Sequence, residues 1–275
     1  ITTRLVGSEM CIRDRYTGFW IDEKENTRLD LREKAEQIAE RVKGQRGIVS
    51  EIVKEEKRQL PPLLYDLTEL QRECNLKFGF SAKKTLDIAQ SLYEKRKMIT
   101  YPRTDSRYLS DDMVGKIKQT LGRLKDVPEF YPYAAEVLAK EKLPLSKRII
   151  DNSKVTDHHA IIPTDTRLRT DHLTPEENKV FSLVAARFLA VFYPAYVYEA
   201  TKVYTKVGLD TFLSKGKTVL QEGWQAVEKA LLSEIRKNKT EKEEEQQLPP
   251  LTEQQPVIAK RTKVLDKKTK APPPY

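Results

Sequence analysis

The feature that most limits the local fold is a proline directly after a tyrosine, within the segment Met98–Ser106. A proline disfavours helical backbone for the residue before it, so Tyr101 is expected to be extended. Alternate side chains of an extended chain share a face, which puts Arg103 on the side of Tyr101. A nearby cation favours a phenolate, and a guanidinium binds a phosphate through two hydrogen bonds. The pair therefore has the chemistry that covalent attack on a phosphodiester requires.

Helix and strand signals on both sides of this segment predict a mixed α+β fold. Asp66, with Glu69 three residues later, predicts a capped helix over about residues 67–77, and Ser81 can cap the next helix. The sequence Thr174-Pro-Glu-Glu177 combines a capping residue, a proline at the first helical position and a glutamate at the third, and it therefore predicts the start of another helix. Further helices are predicted over 28–42, 110–124, 133–142 and 223–232, and strands over 48–57, 195–207, 217–220 and 255–265.

Charge and cysteine content narrow the class of protein. The 275 residues include 50 Lys and Arg against 41 Asp and Glu, a net charge of +9 that suits a polyanionic partner without specifying one. Cys11 and Cys74 lack metal-type spacing, which argues against a disulfide framework or a zinc ribbon. No apolar run of about 18 residues exists, which argues against a membrane span. A cytoplasmic protein is expected, since no secretory signal is visible.

Three segments in a fixed order resemble a known family: Leu86–Glu94, Met98–Ser106 and Asp157–Thr164, the last reading Asp-His-His-Ala-Ile-Ile-Pro-Thr. In this order they resemble the type IA DNA topoisomerases, and their details are most similar to bacterial topoisomerase III. The resemblance runs from about Phe19 to the C-terminus. It implies an ATP-independent isomerase that cleaves one DNA strand through a 5′-phosphotyrosine intermediate, passes a strand and religates.

The resemblance also implies roles for individual residues. Tyr101 would be the nucleophile, and Arg103 would stabilise charge on the phosphoryl oxygens. A DNA-contacting histidine falls on His158, and strand alternation would turn His159 to the opposite face. His159 is therefore given no DNA contact, and His172, which matches no family motif, is given no role. The remaining predicted DNA-binding positions are Gln90, Thr104, Asp105 and Ser106.

The resemblance also implies that the full-length enzyme binds magnesium through an acidic cluster in an N-terminal domain, which in the family also carries a lysine near the leaving oxygen. No Asp-x-Asp segment precedes Tyr101, so the chain is expected to lack a metal site of its own. The stretch Met10–Arg15 is similar to the translation of a sequencing adapter. Residues 1–15 are therefore expected to be a non-native leader, and the end at Ala271–Tyr275 also suggests a fragment.

The resemblance implies parts of a ring-shaped enzyme. Residues 16–46 would belong to a DNA-binding helical domain, and 63–194 would form a helical, winged-helix-like domain that bears the active tyrosine. Residues 47–62 and 195–266 would form a β-rich hinge, and 267–275 a truncated linker. The expected partners are single-stranded and negatively supercoiled DNA, bound by a monomer.

Two other interpretations stay open. A non-catalytic single-stranded DNA-binding fragment would fit the basic charge and a helix-turn-helix over residues 67–94, although an ordinary helical hairpin fits that pattern equally well. The second of these interpretations is a scaffold protein that cannot cleave DNA. Tyrosine recombinases and type IB topoisomerases are disfavoured, because their tyrosine comes late, whereas here the histidines follow it.

Overall fold

The computed structural model describes residues 2–6, 15–233 and 246–266, with only the backbone for 2–6. These residues form two compact units. The first contains the described residues up to Lys57, Tyr198–Leu220 and the described residues from 246 onward. The second contains Arg58–Val197 and the residues from Gln221 to 233. The predicted mixture of helices and strands is confirmed.

The first unit is built on a seven-stranded sheet in the order β6-β3-β4-β5-β2-β1-β7. Its strands are β1 Thr2–Val6, β2 Thr17–Ile21, β3 Arg46–Gln59, β4 Tyr196–Val207, β5 Asp210–Gln221, β6 Pro256–Ile258 and β7 Arg261–Leu265. The pairs β1–β2, β1–β7, β2–β5 and β3–β6 are antiparallel. Gly208, at φ 60°, forms the short turn between β4 and β5, where a glycine adopts positive φ without strain.

One helix, α1 (Arg32–Val42), covers part of the sheet. It buries Ala35, Ile38, Ala39 and Val42, which recur at helical spacing. Ile38 and Val42 form one small core with Val207, Phe212 and Ala259 of the sheet region. A separate small core lies around Tyr16 and Val49.

The second unit is helical: α2 Leu67–Phe78, α3 Ala82–Glu94, α4 Met113–Lys125, α5 Tyr131–Leu138, α6 Pro175–Ala190 and α7 Trp224–Leu232. The side chains of Asp66 and Ser81 accept hydrogen bonds from the third backbone amides of α2 and α3, as predicted. Thr174 and Glu177 complete the predicted capping box of α6. Local sequence signals therefore fix where these helices start.

Helix α6 is the centre of the second unit's core. From Val180 to Ala190 every side chain is buried, and the helix packs against α3, α5 and α7. The same core includes Phe130 of the α4–α5 connection and Ile161 and Ile162 of the segment that carries the double histidine. The tyrosine segment and the histidine segment are thus anchored to one hydrophobic interior.

A buried arginine ties three helices of this unit together. Arg187 of α6 is 2% exposed, and its guanidinium lies 2.6 Å from a Glu73 carboxylate oxygen and 3.2 Å from one of Glu228. It also donates to the Leu63 carbonyl and stacks 4.1 Å from the Tyr65 ring centre. Burial opposes its charge, but Tyr65, Glu73 and Glu228 outweigh burial and raise the pKa of Arg187.

Several predicted elements were wrong in extent. Neither β1 nor β2 was predicted from the sequence. Only residues 217–220 of β5 were predicted, and β6 and β7 were predicted as a single strand. Helix α1 begins four residues later than predicted, and α5 ends at Leu138 instead of 142. Glu69 pairs with Arg72 instead of closing a capping box at Asp66. The predicted surface loop at 236–247 lies mostly outside the described residues.

The predicted domain functions stay predictions, since packing does not assign them. In the two-unit division, α1 and β2, from the range 16–46, pack with the sheet. Of the predicted leader 1–15, the structure describes 2–6, as β1, and residue 15; the predicted linker 267–275 lies outside the described residues.

Two further properties concern the described residues alone. None of their helices is long and apolar enough to cross a membrane. Cys74 is a free, fully buried thiol, and burial raises its pKa to about 12. Cys11 lies outside the described residues.

Candidate active site around Tyr101

The tyrosine segment has no helix or strand, and its residues alternate between solvent and interior. Tyr101 is half-buried, while Arg103 and Asp105 are exposed. The residues between them, Pro102 and Thr104, are buried, and so is Ser106. This alternation of burial agrees with the predicted shared side of Tyr101 and Arg103, and the chain bends at Pro102.

Buried hydroxyl groups hold this segment in place. The Thr104 hydroxyl donates to the His158 carbonyl at 3.0 Å, and the Thr104 carbonyl accepts from the Leu67 amide at the start of α2. The Ser106 hydroxyl donates to the Lys154 carbonyl at 2.8 Å. Both hydroxyls therefore donate to backbone carbonyls. Thr104 and Ser106 are buried beneath the surface, whereas Asp105 is exposed on it.

Two aromatic rings flank Tyr101. The Tyr93 ring, from the last turn of α3, meets it edge-on with centroids 5.5 Å apart, and the His158 ring lies 4.3 Å away at a tilt of 43°. Lys97 holds its ammonium 5.6 Å from the Tyr93 ring centre. Gln90 lies one helical turn before Tyr93, on the same side of α3, and is half-exposed. The structure thus brings Tyr101, Tyr93 and His158 into direct contact.

The adjacent histidines have different surroundings. His158 is exposed, whereas His159 is half-buried and its Nδ1 lies 2.8 Å from the Ala160 carbonyl oxygen. His158 lies in a bend, so strand alternation was the wrong reason for their divergence. Both line an open cavity of about 440 Å³ whose other walls are Ser110, Asp112, Asn152, Val155, Thr156 and Asp157.

The exposed charges beside the tyrosine are largely uncommitted. In the described part of the chain, Arg103 makes no ion pair or side-chain hydrogen bond. Asp105 accepts one long hydrogen bond, at 3.4 Å, from the Thr156 hydroxyl. The guanidinium of Arg103 is therefore free to bind an anionic group without first breaking a protein contact.

Sequence reasoning missed a second ionic cluster behind the site. Glu177, the capping residue of α6, receives two hydrogen bonds from Arg96 at 3.0 and 3.2 Å and one from the Ser91 hydroxyl at 2.8 Å. Burial opposes the charge of Glu177, but hydrogen bonds from Arg96, the Thr174 amide and Ser91 lower its pKa to about 2. The capping pattern gave a signal for Glu177 but none for Arg96, which lies 81 residues away.

The described residues include no group of three or more His, Cys, Asp or Glu side chains that could hold a metal ion. The carboxylate of Asp111 accepts a hydrogen bond from the Asn152 amide, and Asp112 precedes α4 without a side-chain capping bond. His172 lies 3.3 Å from Asp171 on the surface. The residues that the structure describes do not fit a magnesium site.

Residues 9–275 match the family described as DNA topoisomerase, and the chain belongs to this family, the type IA topoisomerases. Within the family it is similar to bacterial topoisomerase 3. It is 49% identical to DNA topoisomerase 3 of Bacillus cereus over 208 residues, which are 76% of this chain and 28% of the relative. With DNA topoisomerase 3 of Bacillus subtilis the identity is 44% over 217 residues, 78% of this chain and 29% of the relative.

The chain thus spans less than a third of the length of these Bacillus relatives. A solved structure, full-length topoisomerase I from Thermotoga maritima, matches with a TM-score of 0.68 at 22% identity, covering 100% of this chain and 42% of that one. At this identity the likeness concerns the fold, which is shared between the two chains.

Proposed function

We propose that this chain carries the strand-cleaving centre of an ATP-independent type IA topoisomerase, with Tyr101 as the nucleophile. The phenol oxygen attacks a backbone phosphorus, and the bond from that phosphorus to the 3′ oxygen breaks. A 5′-phosphotyrosine and a free 3′ hydroxyl result. After another strand has passed, the 3′ hydroxyl attacks the phosphotyrosine and reseals the DNA. Phosphoester bonds are exchanged, not hydrolysed, so no nucleotide is consumed.

The observation that carries this proposal is the setting of Tyr101. Its phenol is partly exposed on a segment that buried hydroxyls fix, and the exposed His158 ring lies 4.3 Å from it. A nucleophile held at a surface can approach a phosphate with little loss of conformational freedom.

The surrounding residues have complementary roles in this proposal. Arg103 binds the phosphoryl oxygens, where charge increases in the transition state. His158 donates a hydrogen bond to a phosphate oxygen, while Asp105 and Gln90 contact the nucleotides. Thr104 and Ser106 act through the backbone they hold, since their hydroxyls are already engaged.

The wider enzyme is also part of the proposal. Helices α2 and α3 would form the winged-helix-like part, and the sheet the hinge, of a ring through which DNA passes. Single-stranded and negatively supercoiled DNA would be the substrates of a monomer. Because the described residues offer no metal site, magnesium would be held by segments of the relatives outside the aligned region.

A chimera tests the proposal. The aligned part of this chain would replace the 208 residues that it matches in Bacillus cereus DNA topoisomerase 3. Single-stranded oligonucleotide labelled at its 3′ end should become attached to the chimera, whereas a 5′ label should be released as a free fragment. Tyr101→Phe should abolish the attachment without weakening DNA binding, because only the attacking oxygen is lost. Attachment to the Phe variant would refute the assignment of the nucleophile.

The main alternative is a DNA-binding fragment without catalysis, supported by the net charge of +9. The 275-residue chain alone is expected to bind single-stranded DNA weakly, with affinity that falls as salt rises. It should not relax supercoiled plasmid, with or without magnesium. If the chimera also failed to form the adduct while the fragment bound DNA, the alternative would replace the proposed function.

A further inference from the structure

The turn that links α3 to the tyrosine segment, Lys95–Lys97, has an unusual backbone. Lys97 has φ 54°, a conformation that a residue with a β-carbon adopts only at a cost in energy. Such conformations persist where surrounding contacts fix them, and they concentrate at functional sites. We refer to Lys95–Lys97 as the clamped turn.

Two sets of contacts fix the clamped turn. On one side, the hydroxyls of Thr164 and Thr166 both donate to the Lys97 carbonyl, at 2.6 and 2.9 Å. On the other, the Arg96 guanidinium binds both carboxylate oxygens of Glu177. Glu177 is held in turn by the Thr174 amide and the Ser91 hydroxyl.

The clamped turn leads directly to the nucleophile. After it, the Met98 amide donates to the Leu92 carbonyl at 2.9 Å and the Thr100 amide donates to the Ile162 carbonyl at 2.9 Å. Tyr101 is the next residue. A change in the direction of the turn would therefore shift the phenol relative to His158 and Arg103.

We propose that Glu177 is a positioning residue for Tyr101, acting through Arg96 and the clamped turn. This inference rests on the proposed function of Tyr101. Glu177 does not contact the reacting atoms; it holds the turn in its strained form, so that the phenol stays beside His158. Loss of the ion pair lets the turn relax, and a displacement of about 1 Å at a reacting atom can slow a reaction by about a hundred-fold.

The chain offers a matched control for this idea. Glu176, the neighbouring residue, forms an exposed ion pair with Lys84 that also joins α6 to α3. Glu176→Gln removes the same charge from the same helical turn without touching the clamped turn. Glu177→Gln and Glu176→Gln therefore differ in whether they release Arg96.

Two measurements test the proposal. In the chimera described above, Glu177→Gln should slow single-turnover cleavage by about ten- to a hundred-fold, with DNA affinity unchanged within about two-fold. In the 275-residue chain, the same variant should speed hydrogen exchange at the Met98 and Thr100 amides. Glu176→Gln should leave both unchanged. Thr166→Val, which removes one exposed contact to Lys97, should slow cleavage in the same direction, and it serves if Glu177→Gln fails to fold.

The outcomes separate this proposal from the proposed function. Adduct formation by Tyr101→Phe would overturn both. If the adduct depends on Tyr101 but a folded Glu177→Gln chimera cleaves as fast as the parent, the positioning role is wrong and the nucleophile assignment stands. Equal slowing by Glu176→Gln would also overturn it, because the effect would then come from helix contacts in general. Weaker DNA binding with an unchanged cleavage rate would make Glu177 a determinant of affinity instead.

Discussion

Arg187 and Arg103 lie in the same compact unit in opposite surroundings. Arg187 is 2% exposed, and every direction around its guanidinium is filled by a carboxylate, a carbonyl or the Tyr65 ring. Arg103 is exposed and has no ion pair or side-chain hydrogen bond within the described ranges. The positive charge of Arg187 is therefore paired with carboxylates of the fold, whereas that of Arg103 has no such partner among the described residues.

The difference shows which kind of evidence points to function. A buried and fully paired arginine is explained by the packing around it, because an unpaired charge there would be costly. Among the described residues, Arg103 has no ion pair or side-chain hydrogen bond, so packing of this kind does not explain it. The comparison therefore explains Arg187 through the native state and supports the proposed role of Arg103 in binding a phosphate.

The largest expected effect is on stability, through Arg187. Arg187→Met should destabilise the 275-residue chain by about 3–5 kcal/mol, because Glu228 is left as an uncompensated buried charge and Glu73 keeps only its ion pair with Lys77. Urea unfolding measures this change. Arg103→Met is the matched control and should change stability by less than about 0.5 kcal/mol. Comparable losses from the two variants would break the comparison.

The second effect is on catalysis, through Arg103. Arg103→Ala should slow cleavage by the chimera about 10²- to 10³-fold, because its contact is strongest in the transition state. DNA affinity should fall much less, and the melting temperature should not change. The rate is measured by stopping the reaction at successive times and quantifying the labelled oligonucleotide attached to the protein. Full activity of Arg103→Lys would rule out a role that depends on two hydrogen bonds from a planar guanidinium.

The two histidines extend the same contrast over adjacent residues. His158→Ala should slow cleavage and religation by about ten- to a hundred-fold, the value of a hydrogen bond to a charged group. His159→Ala should lower the melting temperature, because a half-buried ring that contacts a backbone carbonyl is lost. Its activity per folded molecule should be retained. If His159 controlled the rate and His158 the stability, the assignment of the DNA-facing ring would be reversed.

The smallest effect concerns the Arg96–Glu177 pair, which is intermediate between the two arginines in burial. The depressed pKa of Glu177, about 2 against 4.5, means that its charge stabilises the folded state above pH 4.5. This contribution is lost as the pH falls from 4.5 toward 2. The parent chain should therefore melt higher than Glu177→Gln near pH 7, and the gap should narrow below pH 4.5. A gap that is constant with pH would mean that the charge of Glu177 contributes nothing.

The sequence was informative where a structure depends on neighbouring residues. The caps at Asp66, Ser81 and Thr174 were predicted because each hydrogen bond spans only three residues. The shared side of Tyr101 and Arg103 followed from the proline between them. In both cases the deciding contact lies within one turn or one strand repeat.

The sequence was uninformative where partners are distant. Glu73 and Glu228 lie 114 and 41 residues from Arg187, and no spacing links them. The predicted strand covered only residues 217–220 of β5, because Gly216 interrupts the strand pattern of the sequence. The structure explains that glycine: a β-carbon there would come within 2.6 Å of the Leu248 side chain. Packing between segments, which no local pattern encodes, decided these features.

The buried thiol of Cys74 has a practical consequence. With a pKa of about 12, it leaves roughly one molecule in 10⁵ as thiolate at pH 7, since each pH unit below the pKa is a factor of ten. Cys74 should therefore resist alkylation and air oxidation as long as the chain stays folded. In a Cys11→Ser background, a cysteine placed at Leu209, which is 95% exposed in the β4–β5 turn, would be the selective attachment point for a fluorophore. Delayed labelling of Cys74 in the same sample would then report the opening of the helical core.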